Sequence, residues 1–439
     1  MMPSPSALLL NSLLITAAFC AVPPPAAAQQ AAAARPPVPD KADAGLAPAA
    51  AAPADAVPAN SGRSDAAPKP AAAPPAQPPP DRLLSLAHSD KLVWNGVVIA
   101  PDKRVFVVFP RTAGNPGPSL AVLDNSGNAV AYPGGGWNGP VAGDAKPDPG
   151  NSFIGLNAIH LAPDNSLWAV DTGVPAFGKP PLPGGAKLVR IDLAGNQVTR
   201  SYVLPPDVLR PRSMIDDIRF HGGLAYVTDA GEPGLIVLDL ATGSARRLLD
   251  HDPSTSAQRP IMVDGETLKG PDNKPVMIHA DQLEVTPDGK YLYYQPLPGP
   301  MFRIPTGLLD DAKATPQAVA AGVQFWYDTP ALGGTAIDAN GTLYLNDIEN
   351  DSVLSLTPDR VLTTVIHDPR LHWADAPFLK DGTLTLPVPQ LDRAAAFHHG
   401  KSLIQYPVQL FALHLAMPVS QDGTARDGTA QDGHQAAQP

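Results

Sequence analysis

One unit returns six times along this chain: a polar residue, a short apolar run, a tight turn rich in Asp, Asn and Gly, then a second apolar run. The copies are NGVVIAPDKRVFVVF from Asn95, NAIHLAPDNSLWAV from Asn157, DIRFHGGLAYV from Asp217, DQLEVTPDGKYLYY from Asp281, TAIDANGTLYLND from Thr335 and DAPFLKDGTLTLPV from Asp375. Turns such as PDG, ANG and KDG between β-rich runs signal hairpins. A third apolar run follows most copies, for example KLVRIDLAG, GLIVLDLATG and SVLSLTPD. Six twisted units of three or four strands predict an all-β chain folded as a six-bladed β-propeller. The competing arrangement is a two-sheet sandwich of hairpins. Helix signals are nearly absent; TGLLDDAKA, from Thr306, suits one helical turn.

A ring must close, because an unpaired outer strand is an aggregation hazard. Leu83 to Leu86, ahead of the first copy, is expected to complete the last blade beside Leu410 to Leu415. The propeller is therefore placed at residues 82–416 of the 439-residue chain. Residues 1–28 read as a secretory signal, with an apolar stretch from Ala7 to Val22 and small residues Ala26 to Ala28 before the expected cut. The stretch is short and is broken by Asn11 and Ser12, which favours cleavage over a stable membrane anchor. Residues 29–81 are mostly Ala and Pro, with no aromatic residue between Phe19 and Trp94, and read as a disordered linker. Residues 417–439 read as a disordered low-complexity tail. The expected location is periplasmic or secreted.

Cys20 is the only cysteine and lies inside the signal. A mature chain without thiols has no disulfides, thiolate metal sites or cysteine nucleophile. The net charge of -11 and the lack of a basic run argue against nucleic acid or an anionic membrane as partner. The sequence holds no G-x-S-x-G or H-E-x-x-H, and GKS at 400–402 lacks the upstream Gly of a P-loop.

Antiparallel pairing brings the end of a blade's second strand back beside the start of its first. The first strand is expected nearest the axis. Its leading residues, Asn95, Asn157, Asp217, Asp281, Thr335 and Asp375, are then expected to ring one mouth of the channel and bind a small-molecule ligand. Each alone suits a strand-start cap. Six in register suit a hard cation or an amine. The expected metal set for a divalent cation, Ca²⁺ or Zn²⁺, is Asn157, Asp217, Asp281 and Asp375. His279 and His372 each stand shortly before a ring aspartate, and with Asp281 they form the expected catalytic group for proton transfer. The DTG at Asp171 and DAG at Asp229 are read as structural turns, the Asp accepting N–H bonds and the Gly taking positive φ. Trp94, Trp326 and Trp373 are candidates for the channel wall, with core packing the default.

The ordered set LWAVDTG, DDIRF…AYVTDAGEPGLIVLDLATG, LYYQPLPGPMFRIPTGLL and PVPQLDRAAAF resembles the Yellow/major royal jelly protein family, over about Trp94 to Leu415. That resemblance implies a secreted six-bladed propeller. It further implies either binding of biogenic amines in the channel or conversion of dopachrome, as different members of the family do. More distantly, the inner-strand starts are similar to those of gluconolactonase-like (SMP-30 type) propellers, which implies a divalent cation polarising a lactone. Three functions stay open: a binding or tautomerase-like propeller for a small aromatic or amine ligand, a metal-dependent lactone hydrolase, and a non-catalytic scaffold.

Overall fold

In a computed structural model, residues 81–139 and 148–415 are described. The expected signal, the tail and all of the linker but its last residue lie outside them. The described residues form six four-stranded antiparallel sheets and one small hairpin. Blade I runs Gly96–Ile99, Val105–Val108, Leu120–Leu123 and Ala129–Ala131. Blade II runs Leu156–Leu161, Leu167–Thr172, Ala186–Asp192 and Gln197–Val203. Blade III runs Ile215–His221, Leu224–Asp229, Gly234–Asp239 and Ala245–Leu248. Blade IV runs Ala280–Val285, Tyr291–Pro296, Met301–Pro305 and Gln324–Tyr327. Blade V runs Leu332–Ile337, Leu343–Asp347, Ser352–Leu356 and Leu362–His367. Blade VI takes Phe378–Lys380, Thr383–Val388 and Val408–His414 from the end of the chain and Leu83–Ser89 from its start.

The first strand of each sheet packs against the first strands of its two neighbours, and this closes the ring around an axis. The protein is a six-bladed β-propeller, and the sandwich is excluded. Closure is double. Outside, Leu83 pairs with Leu413 and Ser89 with Val408. Inside, Gly96 bridges Ala376 in parallel. Alternation along the strands sends apolar residues into the spaces between blades. Val170, Leu188, Ile218, Val227 and Ile236 fill the space between blades II and III; Tyr226, Leu235, Leu283, Leu292 and Tyr294 fill the next. Full burial of each such aliphatic side chain contributes roughly 1.5–3 kcal/mol. Two short helices, Thr306–Asp310 and Pro316–Ala321, connect the last two strands of blade IV, the second capped by Thr315. The extra hairpin, Met262–Val263 with Glu266–Thr267, lies between blades III and IV.

Candidate functional site

The turns that close the second strands come first, because they hold the mouth in shape. Asp171 is fully buried and all its bonds are made: it accepts from the N–H groups of Ile154, Gly155 and Gly173 and from Lys187 Nζ at 2.6 Å. Lys187 is equally buried. Asp229 accepts from Met214, Gly231 and Glu232 N–H, from Ser213 Oγ and from Arg247 Nη1. The two glycines serve different needs. Gly173 adopts φ 70°, the left-handed region expected of it. Gly231 does not; a Cβ there would sit 2.1 Å from Arg212 O, so close backbone approach selects it.

The inner strands start beside these turns, and blades II to V each begin with a register shift. Leu156, Ile215, Ala280 and Leu332 pair with Asp171, Asp229, Pro296 and Asp347, so the next residues, Asn157, Asp216, Asp281 and Gly333, occupy equivalent places. The ring position in blade III is thus Asp216, one residue before the expected Asp217. In blade V it is Gly333, two before Thr335. No side chain fits at Gly333, since a Cβ would lie 2.1 Å from Ala374 O. A bulge adds one residue and turns the following side chains to the other face, which a fixed two-residue period does not anticipate.

Hydrogen bonds link much of the ring. Asn95 Nδ2 donates to Asn157 Oδ1 at 3.4 Å, and Asn157 Nδ2 to Asp216 Oδ1 at 2.7 Å. The carboxyl groups of Asp216 and Asp281 face each other within reach of a shared proton. Both keep a little surface toward the lumen yet lie deep among protein atoms. Burial, first, raises the pKa of Asp216 well above the usual carboxylate range, with the charges of Asp281 and Asp217 adding to it. Burial likewise pushes Asp281 up to about 7, against the proton shared with Asp216 and with the charge of Asp375. Asp375 is raised by burial and then by Asp216, although it accepts from Ala376 N–H at 3.0 Å.

A second layer lies along the same strands. Arg219 donates to both oxygens of Glu284, at 2.9 and 2.7 Å, and to Asp217 Oδ2 at 2.8 Å. Thr335 Oγ1 donates to Glu284 Oε1 at 3.2 Å. Burial raises the Glu284 pKa, and Arg219 opposes the rise. His160, three residues after Asn157, is held well below its usual pKa by burial and by Arg219, so it stays neutral.

Both layers line one cavity of about 460 Å³. Asn95, Asn157, Asp217, Asp281, Thr335 and Asp375 all reach its wall, with Asp216, Arg219, Glu284 and His160. Aromatic side chains add to its wall: Phe177, Trp373 and Phe397 from the connecting segments and Phe220 from the inner strand of blade III, Phe177 meeting Phe397 edge-on at 5.1 Å. Trp373 is on the wall as considered, whereas Trp94 packs on Phe109 in the core and Trp326 lies in the outermost strand of blade IV. His279 and His372 are not on the cavity wall. His279 Nδ1 accepts from Ala257 N–H at 3.1 Å. His372 is bonded to Asp392 in the surrounding loops. His160 is the imidazole that the fold does bring to the cavity. Its signal was its place, three after the ring residue, where blades III and IV carry Arg219 and Glu284.

Residues 158–368 match the family model described as major royal jelly protein. Over that stretch the propeller is similar to the major royal jelly protein family. The domain match runs from blade II through blade V and takes in His160, Asp216, Arg219, Asp281 and Glu284. It stops short of Asn95, Asn157 and Asp375. No curated protein matches the chain. Among solved structures, a virginiamycin B lyase from Staphylococcus aureus is similar with a TM-score of 0.44 at 12% identity, over 76% of this chain and 99% of that one. A gluconolactonase from Xanthomonas campestris is similar with a TM-score of 0.47 at 12% identity, over 76% and 89%. Similarity at that level carries no argument about chemistry.

Proposed function

We propose that the channel binds a small organic cation, a protonated amine on an aromatic or apolar body. One observation carries this reading: what the ring lacks is donors. Three carboxylates, Asp216, Asp281 and Asp375, face one cavity, and the side-chain oxygens of Asn95 and Gln282, both buried on its wall, have no hydrogen-bond partner among the described residues. Buried acceptors without donors cost free energy. An ammonium group brings both the positive charge and up to three N–H donors. The aromatic residues above the ring suit the remainder of such a ligand. The major royal jelly protein family, whose salivary members bind biogenic amines, agrees with this chemistry.

The Asp216–Asp281 pair adds a catalytic possibility to the same site. Two carboxyl groups sharing a proton near neutrality can take one proton and return another. Dopachrome tautomerisation is two such shifts in succession: protons leave C2 and C3 of the ring, and a proton is added to each of the two quinone oxygens. The secreted or periplasmic location expected from the first 28 residues remains part of this proposal.

Isothermal titration of the purified propeller with tyramine, dopamine and neutral catechol tests the binding reading. Saturable binding of the two amines and at least tenfold weaker binding of catechol is expected. Equal affinity for catechol and dopamine would reject the cation requirement. Dopachrome decay in the presence of the propeller tests the proton-transfer step, and a rate equal to buffer removes it.

The oxygen-only ring also fits a hard divalent cation, held by Asn157, Asp216, Asp281 and Asp375 with the orphan Asn95 oxygen as a further ligand. Such a cation would polarise a carbonyl, as a lactone hydrolase requires. Ca²⁺ titration against Asp216→Asn separates the readings: a thermal shift with Ca²⁺ that the variant loses favours the metal.

A further inference from the structure

Outside the channel, three loops bring His372, Asp351 and Asp264 together. One ligand atom from each lies within 4.8 Å of the others. Asp264 stands exposed at the tip of the small hairpin between blades III and IV. Asp351 occupies the turn between the second and third strands of blade V. His372, only 6% exposed, lies on the way from blade V to blade VI. The imidazole is oriented from behind. Both carboxylate oxygens of Asp392 stand 3.0 Å from Nε2. A carboxylate at that distance on one ring nitrogen fixes the proton there and leaves the other nitrogen as a ligand, the usual support of a metal-bound histidine. Here Nδ1 faces Asp351 Oδ1 at 3.4 Å, which is long for a hydrogen bond. A proton on Nδ1 serves Asp351 weakly and gives Asp264 nothing. None of the described Lys or Arg side chains forms an ion pair with Asp264, Asp351 or Asp392.

We infer that His372 Nδ1, Asp351 and Asp264 form a divalent-cation site of the Zn²⁺ or Mn²⁺ class, separate from the ring, with Asp392 as the carboxylate that orients the histidine. One imidazole and two carboxylates suit those ions better than Ca²⁺, which takes oxygen ligands throughout. Three protein ligands leave a position for water or for a further carboxylate. The site would tie the Met262–Thr267 hairpin to the Asp351 turn of blade V and to the segment that leads into blade VI. Ile261 precedes the hairpin, Trp373 follows His372 and Leu391 precedes Asp392, and all three line the channel. A cation there would hold together the segments that cover the bound ligand.

The test is Zn²⁺ and Mn²⁺ titration of the full chain, read by calorimetry and by thermal melting. The chain is compared with Asp264→Asn, Asp351→Asn and, as a ring control, Asp216→Asn. Asp264 is exposed, so its variant keeps the fold even if substitutions deeper in the cluster do not. The expected result is one equivalent of Zn²⁺ bound, a raised melting temperature, at least a tenfold loss of affinity in Asp264→Asn and no change in Asp216→Asn. Absence of saturable binding by the unmodified chain overturns the site. So does binding that Asp216→Asn abolishes and Asp264→Asn leaves intact, because the ion would then belong to the ring.

Discussion

Two sets of buried aspartates lie within a few residues of each other on the same face of the propeller, and they live under opposite conditions. Asp171 and Asp229 close second strands. Each is surrounded by backbone N–H groups and one cationic side chain, Lys187 or Arg247. Asp216, Asp281 and Asp375 open first strands. They meet one another, an asparagine chain and a cavity, and burial raises the pKa of all three. Residue type and burial are shared; the supply of donors differs. A carboxylate whose acceptor sites are filled by its own chain is architecture. A group of carboxylates that must protonate or repel until something arrives is a site.

The sharpest way to break that contrast is to remove one member of the satisfied set. Asp171→Ala strands Lys187 without a counter-charge and frees three backbone N–H groups in a fully buried place. Leaving one partner of a buried pair costs about 3–5 kcal/mol. Urea unfolding should show that loss, with no ligand-specific component. A loss below 1 kcal/mol would mean that Asp171 does not hold the turn.

Asp216→Asn should do the reverse. It keeps the shape and removes a carboxyl group that is already crowded by Asp281 and Asp217. Unfolding of the ligand-free variant should stay level or need slightly more urea. Amine affinity should fall roughly 10- to 100-fold, because Asp216 can give up its proton to meet an ammonium group as a charged partner and an amide cannot. If stability falls in step with affinity, the ring is architecture too and the contrast collapses.

The pH dependence sharpens the same point. A carboxyl group whose pKa is higher folded than unfolded binds more protons in the folded state. Its contribution to stability is therefore full at low pH and is lost as pH rises through the folded value. For Asp281 the window runs from the ordinary carboxylate range, near 4, to about 7. Ligand-free stability should decline across it, and Asp281→Asn should flatten that decline. Amine affinity should rise over the same interval, because the ring gains charge. Melting curves at half-unit steps from pH 4.5 to 7.5 measure the first trend; an unchanged slope in Asp281→Asn excludes Asp281 as its source.

How much of this the sequence discloses follows from its physics. The hairpin turns and apolar runs make the blades legible, and the Leu83 strand is legible because a ring must close. The structural role of Asp171 is readable from the DTG turn. Its buried partner Lys187 is not, since it comes from the neighbouring strand, where it stands directly opposite Asp171. The ring aspartates are readable as a group. Asp216 against Asp217 is not, because a bulge is invisible to a period of two. The histidines are the least legible residues of the site. Nearness in sequence to a ring residue suggested His279 and His372, yet the residues just before an inner strand belong to the loops around the mouth. Alternation along the strand itself, as at His160, delivers a side chain to the wall predictably; from the loops one residue reaches it and its neighbour does not, as with Trp373 beside His372.

The histidines also give the smallest expected effect. His279 lies off the cavity wall, its Nδ1 taken by Ala257 N–H, and burial lowers its pKa, so it stays neutral at physiological pH. His279→Ala should therefore cost about 1 kcal/mol, the worth of one half-buried hydrogen bond. It should leave amine affinity within about twofold of the unmodified chain, within the tolerance expected between sites without shared partners. His160→Ala, on the wall, is the matched control and should change affinity more than stability. The pair of measurements asks of two histidines what the aspartate variants ask of two turns. A tenfold loss of affinity in His279→Ala would place the ligand in the loops and not at the ring, and Asp216→Asn should then leave binding untouched.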